Sequence, residues 1–128
     1  MQKGDEFQHL FVVDEAVYST FIKTFKDKNP LHISDEYARQ KGFLSKVMHG
    51  NILNGFVSFM IGECLPAKNV ILQTQTIKYL LPVYLNDEIV MKTRIEDVYE
   101  SVNCVELSFV FFRETKKVAK GIVTFGII

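Results

Sequence analysis

The sequence predicts an α+β domain in which an antiparallel sheet curls around one central helix. Three observations carry that expectation. Residues 50–65 form the most apolar stretch of the chain and have helical length. From Val70 onward, successive segments alternate apolar and polar residues with the period of a half-buried strand. Ahead of both lie one strand-like segment and two short amphipathic helices, so a strand and three helices precede four consecutive strands.

Each element has its own signal. Residues 7–13 read as the first strand. Asp14 is an N-cap, because Ala16, Val17, Phe21 and Phe25 follow it at helical spacing. That helix stops before Asn29-Pro30, since a residue preceding proline is biased away from the α region. Ser34-Asp35-Glu36 opens a second short helix with acidic residues in its first turn, where the helix dipole favours them, and Gly42 closes it. In the later strands, Ile89, Met91, Thr93 and Ile95 alternate with Glu88, Lys92, Arg94 and Glu96. Val105, Leu107, Phe109 and Phe111 extend the inward pattern, as do Val118, Ile122 and Phe125. Asn86-Asp87, Glu100-Ser101 and Glu114-Thr115-Lys116 supply the turns.

At 128 residues the chain fits one domain, 1–128, long enough to bury a core. Hydrophobic residues make up 48% with 11 Phe, the profile of a globular rather than a disordered chain. Lys plus Arg equals Asp plus Glu at 15 each, which disfavours nucleic acid as a partner. The N-terminus turns acidic at Asp5-Glu6 before any apolar run, unlike a signal peptide, and the apolar run at residues 56–61 is too short to span a bilayer. Cys64 and Cys104 match no metal-ligand spacing and read as plain thiols. A cytoplasmic protein with no membrane partner is expected.

The chemistry concentrates in Asp27-Lys28-Asn29-Pro30-Leu31-His32, which sets a carboxylate and an imidazole five residues apart around a proline turn. Such a pair can hold a water and move its protons near neutral pH. Met48-His49-Gly50-Asn51 then opens the central helix. On a wheel advancing about 100° per residue, Gly50, Asn51, Asn54, Gly55, Ser58 and Gly62 share an arc of about 140°. Such a seam of small and polar residues admits either a neighbouring backbone or a thin ligand, with Ser58 or Asn54 offering a hydrogen bond. The first-turn amide of Gly50 is suited to stabilise a negative oxygen. Asn29 has a turn role of its own, His49 reads as a structural residue at the helix start, and His9 as a surface strand residue. The three histidines and Asp27 form no metal-binding spacing.

Asp27 through His32, His49-Gly50 at the matching distance, and Leu81-Pro82-Val83 as a strand start together resemble the MaoC-like (R)-specific enoyl-CoA hydratases. The resemblance implies a hot dog fold, usually homodimeric or a dimer of dimers. It implies reversible syn addition of water to a trans-2-enoyl thioester, with Asp27 and His32 holding and activating the water. It further assigns the thioester oxygen to the Gly50 amide and places Ser58, Asn29 and His49 around the substrate. No metal or redox cofactor is implied; coenzyme A or acyl carrier protein carries the acyl group. Asn51 and Asn54 depart from the family pattern, which bears on the substrate rather than on the chemistry. The alternatives are a hot dog acyl-CoA thioesterase and a non-catalytic acyl-thioester-binding domain.

Overall fold

The computed structural model describes residues 1–128. Strand β1 (Glu6–Val12) leads into helix α1 (Glu15–Phe25), followed by α2 (Pro30–Ile33), α3 (Asp35–Gln40) and α4 (Asn51–Phe59). Strands β2 (Val70–Tyr79), β3 (Glu88–Tyr99), β4 (Cys104–Arg113) and β5 (Lys116–Ile127) complete the chain. They form one antiparallel sheet in the order β1-β3-β4-β5-β2, so β1 and β2 are its edges. This is the α+β hot dog architecture expected from the order of elements.

The caps anticipated from sequence form. The Val17 N–H donates to Asp14 Oδ1 at 2.9 Å, and the Tyr37 N–H donates to Ser34 Oγ at 3.1 Å. Gly42, with φ +93°, follows α3 in the left-handed conformation that glycine adopts at least cost. The inner face of the sheet packs on α4 through a single cluster in which Ile52, Leu53, Val57 and Met60 join Ile89, Met91, Leu107, Phe109, Phe111 and Phe125. Burying side chains of this size stabilises by about 1.5–3 kcal/mol each, so the sheet and α4 depend on one another.

Four expectations are revised. Asn29-Pro30 does not merely end a helix; it starts α2, with Asn29 as N-cap and Pro30 in the first turn, where its missing N–H is no loss. The central helix is α-helical only to Phe59 and continues as a π-helical turn, Met60–Cys64. Leu81-Pro82-Val83 is not a strand start. β3 begins at Glu88, and the preceding connection makes an isolated bridge, Val47 to Tyr84.

Ile122 is the fourth revision: it points outward and is 45% exposed. The pairing of β4 with β5 jumps from Phe111–Ala119 to Phe112–Lys117, leaving Val118 as the extra residue. That bulge reverses the phase of β5, as one inserted residue must. Val118 and Ala119 are therefore both buried, and Val123 and Phe125 face inward with Ala119. Gly121 lies on this inward set, where an added Cβ would come within 1.9 Å of the Thr76 carbonyl oxygen. Gly121→Ala is expected to destabilise the fold by about 1–3 kcal/mol, the usual cost of overpacking, read as a lower urea midpoint at unchanged slope.

Candidate active site

Helix α1 ends at Lys26, whose left-handed backbone (φ +62°) turns the chain so that Asp27 follows directly. A ladder of short-range bonds then shapes the hexapeptide. The Asn29 N–H donates to Asp27 Oδ1 at 3.1 Å, the Leu31 N–H to Asn29 Oδ1 at 3.0 Å, and the His32 N–H to the Asn29 carbonyl at 2.8 Å. These are the self-bonding turns that Asp and Asn favour. They explain the spacing: the proline and asparagine build one helical turn that carries His32 back toward Asp27.

Four further contacts set the imidazoles. His32 Nδ1 lies 2.8 Å from the Val47 carbonyl oxygen, and His49 Nε2 lies 2.8 Å from the main-chain oxygen of Asp27. Carbonyl oxygens only accept, so in neutral rings the hydrogens sit on those nitrogens. His32 Nε2 and His49 Nδ1 then carry lone pairs. The two rings stack with centroids 4.1 Å apart and planes at 29°. The Tyr18 hydroxyl donates to the His32 carbonyl at 2.5 Å. Burial, with Glu15 and Asp35 adding, pushes the Tyr18 phenol above its ordinary pKa, which keeps it protonated as a donor.

Asp27, His32 and His49 each bring a ligand-type atom within 4.8 Å of the others. Sequence spacing alone did not join His49 to the pair as a side-chain cluster. Such a triad has the donor types of a transition-metal site. One nitrogen of each ring is already engaged by a main-chain carbonyl oxygen, which leaves His32 Nε2 and His49 Nδ1 to the cluster. His49 Nδ1 is buried with no hydrogen-bond partner.

A cavity of about 530 Å³ opens on this cluster, with Asp27, His32, His49 and Gly50 on one side and Leu80, Leu81 and Val83 on the other. The wall at residues 80–83 is anchored from two directions. Met48 N–H donates to the Val83 carbonyl at 2.8 Å, and Arg113 Nη1 bonds both the Pro82 carbonyl (2.7 Å) and Asp87 Oδ2 (2.8 Å). The Gly50 N–H heads α4 and donates to no backbone or side-chain acceptor. A second cavity of about 890 Å³ runs between α1 and α4, and Asp27, Asn51, Ile52 and Phe21 border both.

The other residues singled out from sequence divide. Asn29 and Ser58 lie outside both cavity linings. Asn29 is engaged as the α2 cap, and Ser58 is exposed two turns along α4. Asn54 has no amide hydrogen to spare: Nδ2 donates to Asn51 Oδ1 at 2.7 Å and to Tyr79 Oη at 3.1 Å, while its oxygen accepts from Gln75 Nε2. Of the seam glycines, Gly55 and Gly62 have no close neighbour, since a Cβ at either would meet open space, whereas Gly50 faces the Tyr79 ring. His9 is half-buried rather than a plain surface residue, its ring packed against Phe11 and Phe59. Tyr79 and Gln75 were missed. Both sit on a mostly exposed edge strand, where residue type carries little signal.

The class of protein follows from these parts together with the shapes they match. Protein af1124 from Archaeoglobus fulgidus superposes with a TM-score of 0.91 at 25% identity, over 100% of this chain and 80% of that one. The (R)-hydratase from Aeromonas caviae involved in PHA biosynthesis gives 0.92 at 22% identity, over 100% and 98%. Those likenesses establish the hot dog fold. In sequence, the family model of the MaoC-like domain matches residues 6–109, and the chain belongs to that family. An (R)-specific enoyl-CoA hydratase of Rhodospirillum rubrum is 29% identical over 126 residues, which is 98% of this chain and 84% of the relative. The (R)-specific enoyl-CoA hydratase of Aeromonas caviae is 29% identical over 85 residues, 66% of this chain and 63% of the relative.

His49 ties the loop carrying Asp27 to the start of α4. In His49→Ala, amide exchange across residues 26–29 is expected to accelerate while the β3 and β4 amides keep their protection, read by hydrogen–deuterium exchange. Unchanged exchange in that loop would show that the histidine does not hold it.

Proposed function

We propose that the protein is an (R)-specific enoyl-CoA hydratase, a hydro-lyase that adds water reversibly to a trans-2-enoyl thioester and dehydrates the (R)-3-hydroxyacyl thioester in reverse. One observation carries the reading: the Asp27 carboxylate and a His32 ring with a lone-pair Nε2 meet in one cavity beside the unpaired Gly50 N–H. Water held between Asp27 and His32 attacks the β-carbon. The pair takes one proton from that water and returns one to the α-carbon from the same face, so hydrogen and hydroxyl add syn and the pair ends as it began. The two groups act as one coupled unit. As the C–O bond forms, charge moves to the thioester oxygen, and the Gly50 N–H donates to it at the positive end of α4. A donor so placed is typically worth about 3–4 kcal/mol in the transition state.

No resident metal or redox cofactor enters this chemistry. The acyl group arrives on coenzyme A or an acyl carrier protein. His49 serves as the support that aligns Asp27, Asn29 shapes the turn, and Ser58 stands further along the helix, within reach of a longer ligand. A cytoplasmic setting suits an enzyme of activated thioesters, and no helix is long and apolar enough to cross a membrane.

The test is the loss of enoyl absorbance when the protein meets crotonyl-CoA. Asp27→Asn and His32→Ala are each expected to cut kcat by about 100- to 10,000-fold, the usual contribution of acid–base groups. Full activity in either variant would remove the role assigned to it. Release of free thiol without hydration would make the protein a thioesterase, and tight acyl-CoA binding without turnover would make it a binding domain.

We also propose a homodimer joined along β2. This strand leaves one row of backbone groups unpaired and exposes Ile71, Leu72 and Tyr79, and an edge of that length and character is a template for another chain. Light scattering is expected to give twice the chain mass or a higher even multiple; a monomer at micromolar concentration would refute it.

A further inference from the structure

Tyr79 stands in an unusual relation to Gly50. Its ring occupies the place where a side chain on Gly50 would be: an added Cβ would lie 2.9 Å from Cε1 and 3.0 Å from Cζ. The ring therefore covers the residue whose N–H is free for a ligand oxygen, and it lines the same cavity as Asp27 and His32. Within one chain Tyr79 is nearly half exposed, at 48%, so packing inside the chain alone does not hold it, whatever a partner at β2 adds.

What holds it is a polar clamp. Asn54 donates one amide hydrogen to Tyr79 Oη and the other to Asn51 Oδ1, and its oxygen accepts from Gln75. Every hydrogen-bonding hydrogen of the Asn54 side chain is spent inside the clamp. Asn54 thus positions the tyrosine and does not read the substrate. A neutral exposed hydrogen bond contributes little to stability, so such a clamp does little for the fold. It does fix one rotamer of a large ring beside the unpaired N–H.

We propose that the clamped Tyr79 ring is a specificity-determining wall that restricts substitution at the α-carbon of the acyl thioester. The inference rests on the acyl-thioester reading above. A thioester oxygen bonded to the Gly50 N–H puts its α-carbon within a few ångströms of that residue, on ground bordered by the ring. An unbranched α-carbon fits beside the wall. An α-methyl group must displace Tyr79, and Asn54 and Gln75 resist that movement. The β-carbon and the chain beyond it lie toward Asp27 and His32, outside the reach of the clamp.

Saturated analogues test this without turnover. Calorimetry would compare butyryl-CoA with 2-methylbutyryl-CoA on the wild-type protein, on Tyr79→Ala and on Asn54→Ala, with crotonyl-CoA hydration measured separately. The wild type is expected to prefer the unbranched ligand by roughly tenfold, the scale on which a pocket discriminates a methylene, and Tyr79→Ala to fall within about twofold of parity. Butyryl-CoA itself should still bind Tyr79→Ala. Asn54→Ala, which keeps the ring but frees it, should fall between. No preference in the wild type, or an undiminished one in Tyr79→Ala, overturns the proposal. If Tyr79→Ala fails to fold, an undiminished preference in Asn54→Ala overturns it instead. If the wild type binds the analogues with the expected preference yet leaves crotonyl-CoA untouched, the hydratase reading falls while the wall stands. If it binds neither analogue, the wall falls, and the hydratase reading stands or falls by crotonyl-CoA hydration alone.

Discussion

The bond from His49 Nε2 to the main-chain oxygen of Asp27 joins the two halves of this molecule. His49 is 3% exposed and sits where the chain enters the buried helix. Asp27 is exposed, on a loop between two helices. A carboxylate on an exposed loop would ordinarily sample many positions. Tied to a residue whose place is fixed by Met48 and Ile52 on either side, both buried, it inherits the rigidity of the core. Sites built on loops keep their geometry only when a rigid scaffold holds the loop in this way.

The same contact orients the second histidine. With His49 Nε2 engaged, its other nitrogen is buried without a partner, and His32 stacks against that ring. His32 is in turn fixed by Val47, two residues upstream of His49. Three residues of one short segment, Val47, His49 and Gly50, therefore supply a carbonyl for His32, a tether for Asp27 and an unpaired N–H. Arg113 and Met48 pin the facing wall at residues 82 and 83. The cavity is held on both sides by side chains bonded to main-chain oxygens, His32 and His49 on one side and Arg113 on the other.

Much of this was legible in the chain. The caps at Asp14 and Ser34, the alternation of β3 and β4, and the hexapeptide spacing are local signals, and the local physics of turns and helices suffices to read them. The misreadings share a different cause. Ile122 faces solvent because a bulge at Val118 shifts the phase of β5, and only the pairing with β4 reveals where that extra residue falls. Leu81-Pro82-Val83 is a strand start only by the family resemblance, yet the partner of this stretch is the segment before α4. Asn54 reads as a donor toward a ligand because the helix wheel puts it on the open seam. Its true partners, Gln75 and Tyr79, come from a strand more than twenty residues away. These three errors lie in long-range contacts that no window of sequence contains.

The polar seam of α4 makes the last of these points physical. A mid-helix glycine costs about 1 kcal/mol relative to alanine, and within one chain nothing approaches Gly55 or Gly62 closely enough to require the lack of a side chain. Gly121 shows the opposite case, where a carbonyl oxygen stands in the place of the missing Cβ. The contrast separates a glycine demanded by the fold of the chain from glycines whose reason lies outside it. Gly55 borders the groove between α1 and α4, and that groove meets the Asp27 cavity. Space kept open at such a cost, continuous with an acid–base pair, is what a thin acyl or pantetheine ligand lying along the helix would use. A helix buried against its own sheet on one face and left uncovered beside Gly55 and Gly62 on the other is stabilised for the fold on the first face only.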